Sequence, residues 1–225
     1  MCIIIYSPSG RIPRRHLQES LSSNPHGWGL MWPSGDGSLE MCKGLNRKRF
    51  WRAWRSKPKD APVVFHSRIR SHGELDVDNC HPFWIPGHGE LAMVHNGIIR
   101  QHADDESEMS DTRLFIRDVL AGLPRGFTRN QATLDLIGGY VGHSKLVFMN
   151  GRGNATIVNE ELGHWNGDRW YSNSSYRSVP VERTKVQEVV LGRREDRVEG
   201  FQPTVPAYWS SMPGYGRHFA NGGGN

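Results

Sequence analysis

The sequence predicts an α+β chain in which two packed sheets are covered by helices. Short runs bearing apolar residues, at 2–6, 27–33, 38–44, 61–69, 90–95, 144–150 and 154–159, read as strands. Segments of helical period alternate with them, at 13–22, 46–56, 110–122 and 130–138. The length of 225 residues is enough for one domain with a substantial core and a tail.

Each element has its own signal. Cys2-Ile3-Ile4-Ile5-Tyr6 is continuously apolar, as a buried first strand is. Pro13 can open the first turn of the 13–22 helix, because its missing N–H is an orphan there in any case. In the 46–56 helix Phe50, Trp51 and Trp54 fall on one side and can pack inward, leaving the cations solvated. The strand Glu90-Leu91-Ala92-Met93-Val94 is followed by Asn96-Gly97, a pair that alone suggests a hairpin turn. Ser110 and Asp111 stand before the apolar Leu114, Phe115, Val119 and Leu120, where a helix cap belongs. A hairpin is expected around Trp165-Asn166-Gly167-Asp168. Beyond Pro180 the periodicity decays: 183–199 is charge-rich, and 200–225 is rich in Pro, Gly and Ser, ending near Gly222-Gly223-Gly224. The chain therefore divides into a domain at 2–180 and a flexible or partner-docking tail at 181–225.

Composition narrows the function classes. Three cysteines without regular spacing, no apolar leader and no run long enough for a bilayer predict a soluble, cytoplasmic, membrane-free protein without disulfides. Eleven histidines occur with no Cys-x-x-Cys or His-Glu-x-x-His spacing, so no metal and no cofactor are expected. The net charge of +5 and the mix of cations with aromatics over 47–59 raise nucleic acid as a partner.

Position 2 carries the chemistry. A Cys directly after the initiator Met becomes residue one once the Met is trimmed, and then holds a thiol and an α-amine of pKa near 8 on one residue. A nucleophile and its general base come as a unit. Taken alone, Cys2 is better explained by packing than by catalysis.

Further segments follow it in order: Asn24-Pro25-His26-Gly27-Trp28-Gly29, His66-Ser67-Arg68-Ile69-Arg70-Ser71-His72-Gly73, Asn79-Cys80-His81-Pro82-Phe83, His95-Asn96-Gly97-Ile98-Ile99 and Ser110-Asp111-Thr112. With Cys2 they resemble the class II glutamine amidotransferases, the glutaminase members of the N-terminal nucleophile hydrolases, from Cys2 to about Tyr176. The resemblance implies a four-layer αββα sandwich and hydrolysis of L-glutamine through a Cys2 thioester. It implies an oxyanion hole from the Asn96 side chain and the Gly97 N–H. Substrate is assigned to Arg68, Ser71, His72 and Asp111: a guanidinium fork suits the glutamine carboxylate, and an acid suits its ammonium. His26, His81 and His95 shape the site, with no proton transfer assigned to His81. Trp170 to Tyr176 resembles the family's late Ser-Asn-containing strand.

Three positions depart from the pattern. Ile69 stands where members carry an aromatic residue, Ser71 where they carry Thr, and Arg113 where many carry an acid. Members best known from metabolism continue into a synthase domain, so a separate ammonia-acceptor synthase is expected as a partner, and modified deazaguanine bases are one candidate acceptor class. Two other readings stand beside this one: an N-terminal nucleophile hydrolase that cleaves another amide, and a silent homologue serving as a binding scaffold.

Overall fold

The computed structural model describes residues 2–71, 73–104 and 106–177. His72, assigned to the substrate, and the 181–225 tail lie outside these described residues. In chain order the elements are β1 (Ile3–Ser7), α1 (Arg14–Ser23), β2 (Trp28–Pro33), β3 (Leu39–Gly44), α2 (Arg47–Ser56), β4 (Val63–Ser67) and β5 (Phe83–Trp84). There follow β6 (Leu91–Asn96), α3 (Asp111–Asp118), α4 (Gln131–Val141), β7 (Lys145–Asn150), β8 (Ala155–Val158), β9 (His164–Asn166) and β10 (Arg169–Tyr171).

The strands form two antiparallel sheets, of order β3-β2-β4-β1-β10-β9 and β5-β6-β7-β8. Alternation along each strand turns the sheets into the middle layers of a sandwich. From β1, Ile4 points between the sheets and packs with Met31, Val64, Ala92, Val94, Val147 and Met149. Its neighbours Ile3 and Ile5 point the other way, into a core with Leu17 and Leu21 of α1 and Phe50 and Ala53 of α2. On the far side Met93, Leu146 and Phe148 pack against Phe115 and Ile116 of α3 and Ile137 and Val141 of α4. The architecture is thus the expected four-layer αββα sandwich. It explains the unbroken apolar run at Ile3-Ile4-Ile5, since a strand covered on both faces has no polar side.

The aromatics of α2 point inward. Phe50 is fully buried, Trp51 and Trp54 are half-buried against the same core, and Arg14 and Lys57 lie over their rings at 5.1 and 4.7 Å. A stacking platform for bases needs exposed rings, and this helix offers its exposed cations Arg47, Lys48, Arg49, Arg52 and Arg55 instead.

Three details differ from expectation. The helix expected over 110–122 stops at Asp118; Val119 leaves helical geometry at φ −123°, and Leu120–Gly122 continues as a 3-10 turn. Leu120 is still buried, so the apolar period persisted across a change of backbone. The two-residue β5 is too short to show any period. Asn96-Gly97 does not close a hairpin, because β6 pairs with β7 in a register that sets Asn96 beside Lys145. The expected late hairpin is present, with Asn166 paired to Arg169 and Gly167 at φ 63°.

Candidate active site

Both sheets end at one place. β1 begins beside the end of β4, with Ile3 paired to Ser67, and its other neighbour β10 runs on into Ser172 and Asn173. In the second sheet β6 ends and β7 begins there. A cavity of about 640 Å³ opens at these ends, lined by Cys2, Ile69, Ser71, Asn96 and Gly97 together with Arg100 and the Tyr140–Lys145 corner.

Cys2 is held by backbone. Its Sγ accepts from the Ile69 N–H and donates to the Ile69 carbonyl, both at 3.3 Å. Asn173 Nδ2 donates to the Cys2 carbonyl at 2.6 Å. Burial pushes the thiol pKa up; the Ile69 N–H, the positive amino terminus and Arg68 pull it back, and Asp111 opposes them. A thiol in this setting needs a base beside it to become a nucleophile.

The expected oxyanion donors sit on the opposite sheet. Asn96 is 1% exposed, and its Nδ2 donates to Ser172 Oγ at 2.7 Å, which also accepts the Ile4 N–H at 2.8 Å. An amide nitrogen carries two hydrogens, so one remains. Gly97 adopts φ +149°, and a Cβ there would fall 2.7 Å from Ser144 Cα, so both its conformation and its surroundings call for glycine.

The charged pair lies deeper. Arg68 is 3% exposed; one terminal nitrogen donates to the Glu74 carbonyl at 3.0 Å, and its N–H donates to the Gly27 carbonyl at 2.8 Å. Asp111 is 4% exposed; its carboxylate accepts the N–H groups of Ile99 and Thr112, both at 2.8 Å. Neither lines the cavity, although both act on the Cys2 thiol through space. Asp111 does serve the start of α3 as expected, whereas the Ser110 hydroxyl makes no cap bond.

The histidines form a buried cluster. His26 stays at the edge, accepting the Arg70 N–H on Nδ1 at 3.1 Å. His95 Nδ1 and His81 Nε2 meet Thr112 Oγ1 at 2.8 and 3.3 Å, and that hydroxyl donates to Asp111 at 3.3 Å. With the hydroxyl proton given to Asp111, both rings are assigned as donors. His66, which sequence reasoning did not single out, donates from Nε2 to the His95 carbonyl at 3.1 Å. Burial holds all three neutral: His66 is pushed down to about 3, His95 to about 4, and His81 well below its ordinary value. None of the three lines the cavity. Among the described residues no group of three or more His, Cys, Asp or Glu is placed to hold a metal, and no helix is long and apolar enough to cross a membrane.

Sequence reasoning missed Ser172 and Asn173 as site residues, along with Arg100 and Lys145. The Ser-Asn pair was visible as a segment but carried no chemical signal. The two cations belong to no motif.

No family model matches the chain. Among solved structures it is similar to a glutamine phosphoribosylpyrophosphate amidotransferase from B. subtilis complexed with ADP and GMP, at 15% identity and a TM-score of 0.45, over 76% of this chain and 41% of that one. A structure described as the allosteric regulatory enzyme of purine biosynthesis matches at 16% identity and a TM-score of 0.45, with the same two coverages of 76% and 41%. A glutamine aminotransferase class-II domain protein from Silicibacter pomeroyi matches at 10% identity and a TM-score of 0.42, over 76% of this chain and 87% of that one. The chain thus spans about two fifths of the length of the first and second of these.

Proposed function

We propose that the chain is a glutamine amidotransferase subunit that hydrolyses L-glutamine to glutamate and ammonia. The observation that carries this reading is that Cys2, Asn96 and Gly97 line one cavity although they come from two different sheets. With Met1 removed, the α-amine stands on Cys2 itself, closer to the thiol than a Met1 amine, and takes its proton. Sγ then bonds to the amide carbon, and Asn96 Nδ2 and the Gly97 N–H meet the charge on oxygen. The amine returns the proton to the leaving nitrogen, ammonia departs, and water cleaves the thioester to glutamate. Two easier steps replace one hard amide cleavage. Arg68, Ser71, His72 and Asp111 hold the amino-acid end in this reading, and the ammonia acceptor lies on a separate partner.

The test is Cys2→Ala in protein whose intact mass lacks Met1. Turnover of glutamine is expected to vanish while glutamine binding persists, because binding is assigned elsewhere. Near-normal turnover in that variant, or active protein that retains Met1, sinks the mechanism.

One observation favours a second reading, in which another amide is the substrate. Asp111, the residue assigned to the substrate ammonium, faces backbone N–H groups and does not line the cavity. Glutamine would have to compete for a carboxylate that is already engaged. A panel of amides lacking the α-ammonium, assayed beside glutamine, separates the two readings.

A further inference from the structure

Burial pulls three lysines of the described region below the usual ammonium pKa: Lys43, Lys57 and Lys145. Two of them are satisfied. Lys43 Nζ donates to the Cys80 carbonyl at 2.8 Å, and Lys57 Nζ donates to the Gly10 and Pro58 carbonyls at 2.9 Å each. Lys145 has no hydrogen-bond or ion-pair partner among the described residues, and it lines the Cys2 cavity. Arg100 lines it too, likewise without an acceptor among the described residues, beside His143.

The rest of the wall agrees. Among the described residues no aspartate or glutamate lines the cavity to offset the cations. Ser144, 2% exposed, also lines it, and its hydroxyl, a possible donor, has no hydrogen-bond partner among the described residues. Buried polar groups are almost always paired, and a partly desolvated cation without an acceptor is costly. Half-buried Lys145 and the Ser144 hydroxyl, with the exposed Arg100 beside them, mark a place on this wall where a ligand completes the bonding. Lys145 pairs across the strands with Asn96, which puts the two side chains on the same face of the sheet about 5 Å apart at Cβ. The ammonium on its long stem therefore works beside the reacting centre.

We propose that this wall is an anion subsite, in which Lys145 and Arg100 receive a carboxylate or phosphate group of a small molecule that shares the cavity with Cys2. The subsite deepens the glutaminase reading and rests on it only for which molecule brings the anion. Two sources supply the same chemistry: a carboxylate of the amide substrate, or the anionic group of a second substrate that takes the ammonia. The volume of about 640 Å³ is in the range that encloses drug-sized ligands, which leaves room beyond a single amino acid.

The experiment uses the full-length Cys2→Ala protein, titrated calorimetrically with inorganic phosphate and, separately, with succinate, each with and without saturating glutamine. At least one anion is expected to bind, with affinity lost roughly tenfold or more in Lys145→Met and kept in Lys145→Arg, since charge-assisted bonds are the strong ones. Displacement of the anion by glutamine assigns the subsite to the substrate's own carboxylate and takes that role from Arg68; binding alongside glutamine assigns it to the acceptor. Arg100→Gln serves as a second variant should Lys145→Met fail to fold. Wild-type anion affinity in both variants, or no anion binding in the parent, overturns the proposal. Anion binding that depends on Lys145, together with no glutamine turnover in the unmutated protein whose mass lacks Met1, leaves the subsite standing and removes the glutaminase reading.

Discussion

Two charged regions flank Cys2, and they are built in opposite ways. Beneath the thiol, Arg68 and Asp111 are nearly sealed from solvent and spend hydrogen bonds on backbone: Arg68 on the Glu74 carbonyl, Asp111 on the Ile99 and Thr112 N–H groups. The Asp111 bonds continue through Thr112 into the neutral histidines His81 and His95. On the cavity wall, Lys145 and Arg100 have no acceptor among the described residues. A charge bonded to backbone fixes the shape of the loops that hold it; a charge without a partner is left for whatever enters. Motif residues and ligand-facing residues therefore overlap only in part here, with Cys2, Ile69, Ser71, Asn96, Gly97 and Ile98 belonging to both.

The largest effect that sharpens this contrast is expected where the two regions meet. Asn96→Ala removes one oxyanion donor, and turnover should fall by roughly 10²–10³-fold with a smaller change in binding. Steady-state kinetics with a separate glutamine titration checks it; equal losses in both would make Asn96 a structural residue.

Next in size is Arg68→Lys. A point charge cannot reproduce a planar fork, so if Arg68 turns to the substrate carboxylate the Michaelis constant should rise about tenfold or more. If Arg68 only braces the 68–74 loop, the melting temperature falls and the Michaelis constant does not. The two outcomes place Arg68 on one or the other side of the comparison.

The fold was legible because its signals are local and redundant. Ile3-Ile4-Ile5 needed cover on both faces, and Phe50, Trp51 and Trp54 had to share an inner side; both demands are met by the sandwich. The end of α3 was not legible, since Leu120 keeps the apolar period through a 3-10 turn. At the site, the motifs marked the residues whose identity carries chemistry. They could not mark Lys145, an ordinary strand residue until the register sets it beside Asn96. Nor could they tell that Asp111 would be engaged by an N–H twelve positions back, at Ile99, because that bond exists only in the folded chain.

The smallest effect concerns Ser172, whose Oγ takes both the Ile4 N–H and Asn96 Nδ2. One Asn96 hydrogen is thereby committed, which fixes the plane of the amide and the direction of the other. Ser172→Ala should lower kcat by about tenfold, less than loss of Asn96 itself, because an unanchored amide still samples the productive orientation. The Michaelis constant should barely move. The same change leaves the buried Ile4 N–H without a partner, at a cost of about 1–3 kcal/mol that lowers the melting temperature whatever Asn96 does. Ser172→Thr keeps the hydroxyl and should restore both. A folded Ser172→Ala protein with normal kcat would mean that the β6–β7 pairing alone orients Asn96, and that the hydroxyl serves only to tie Ile4 to the end of β10.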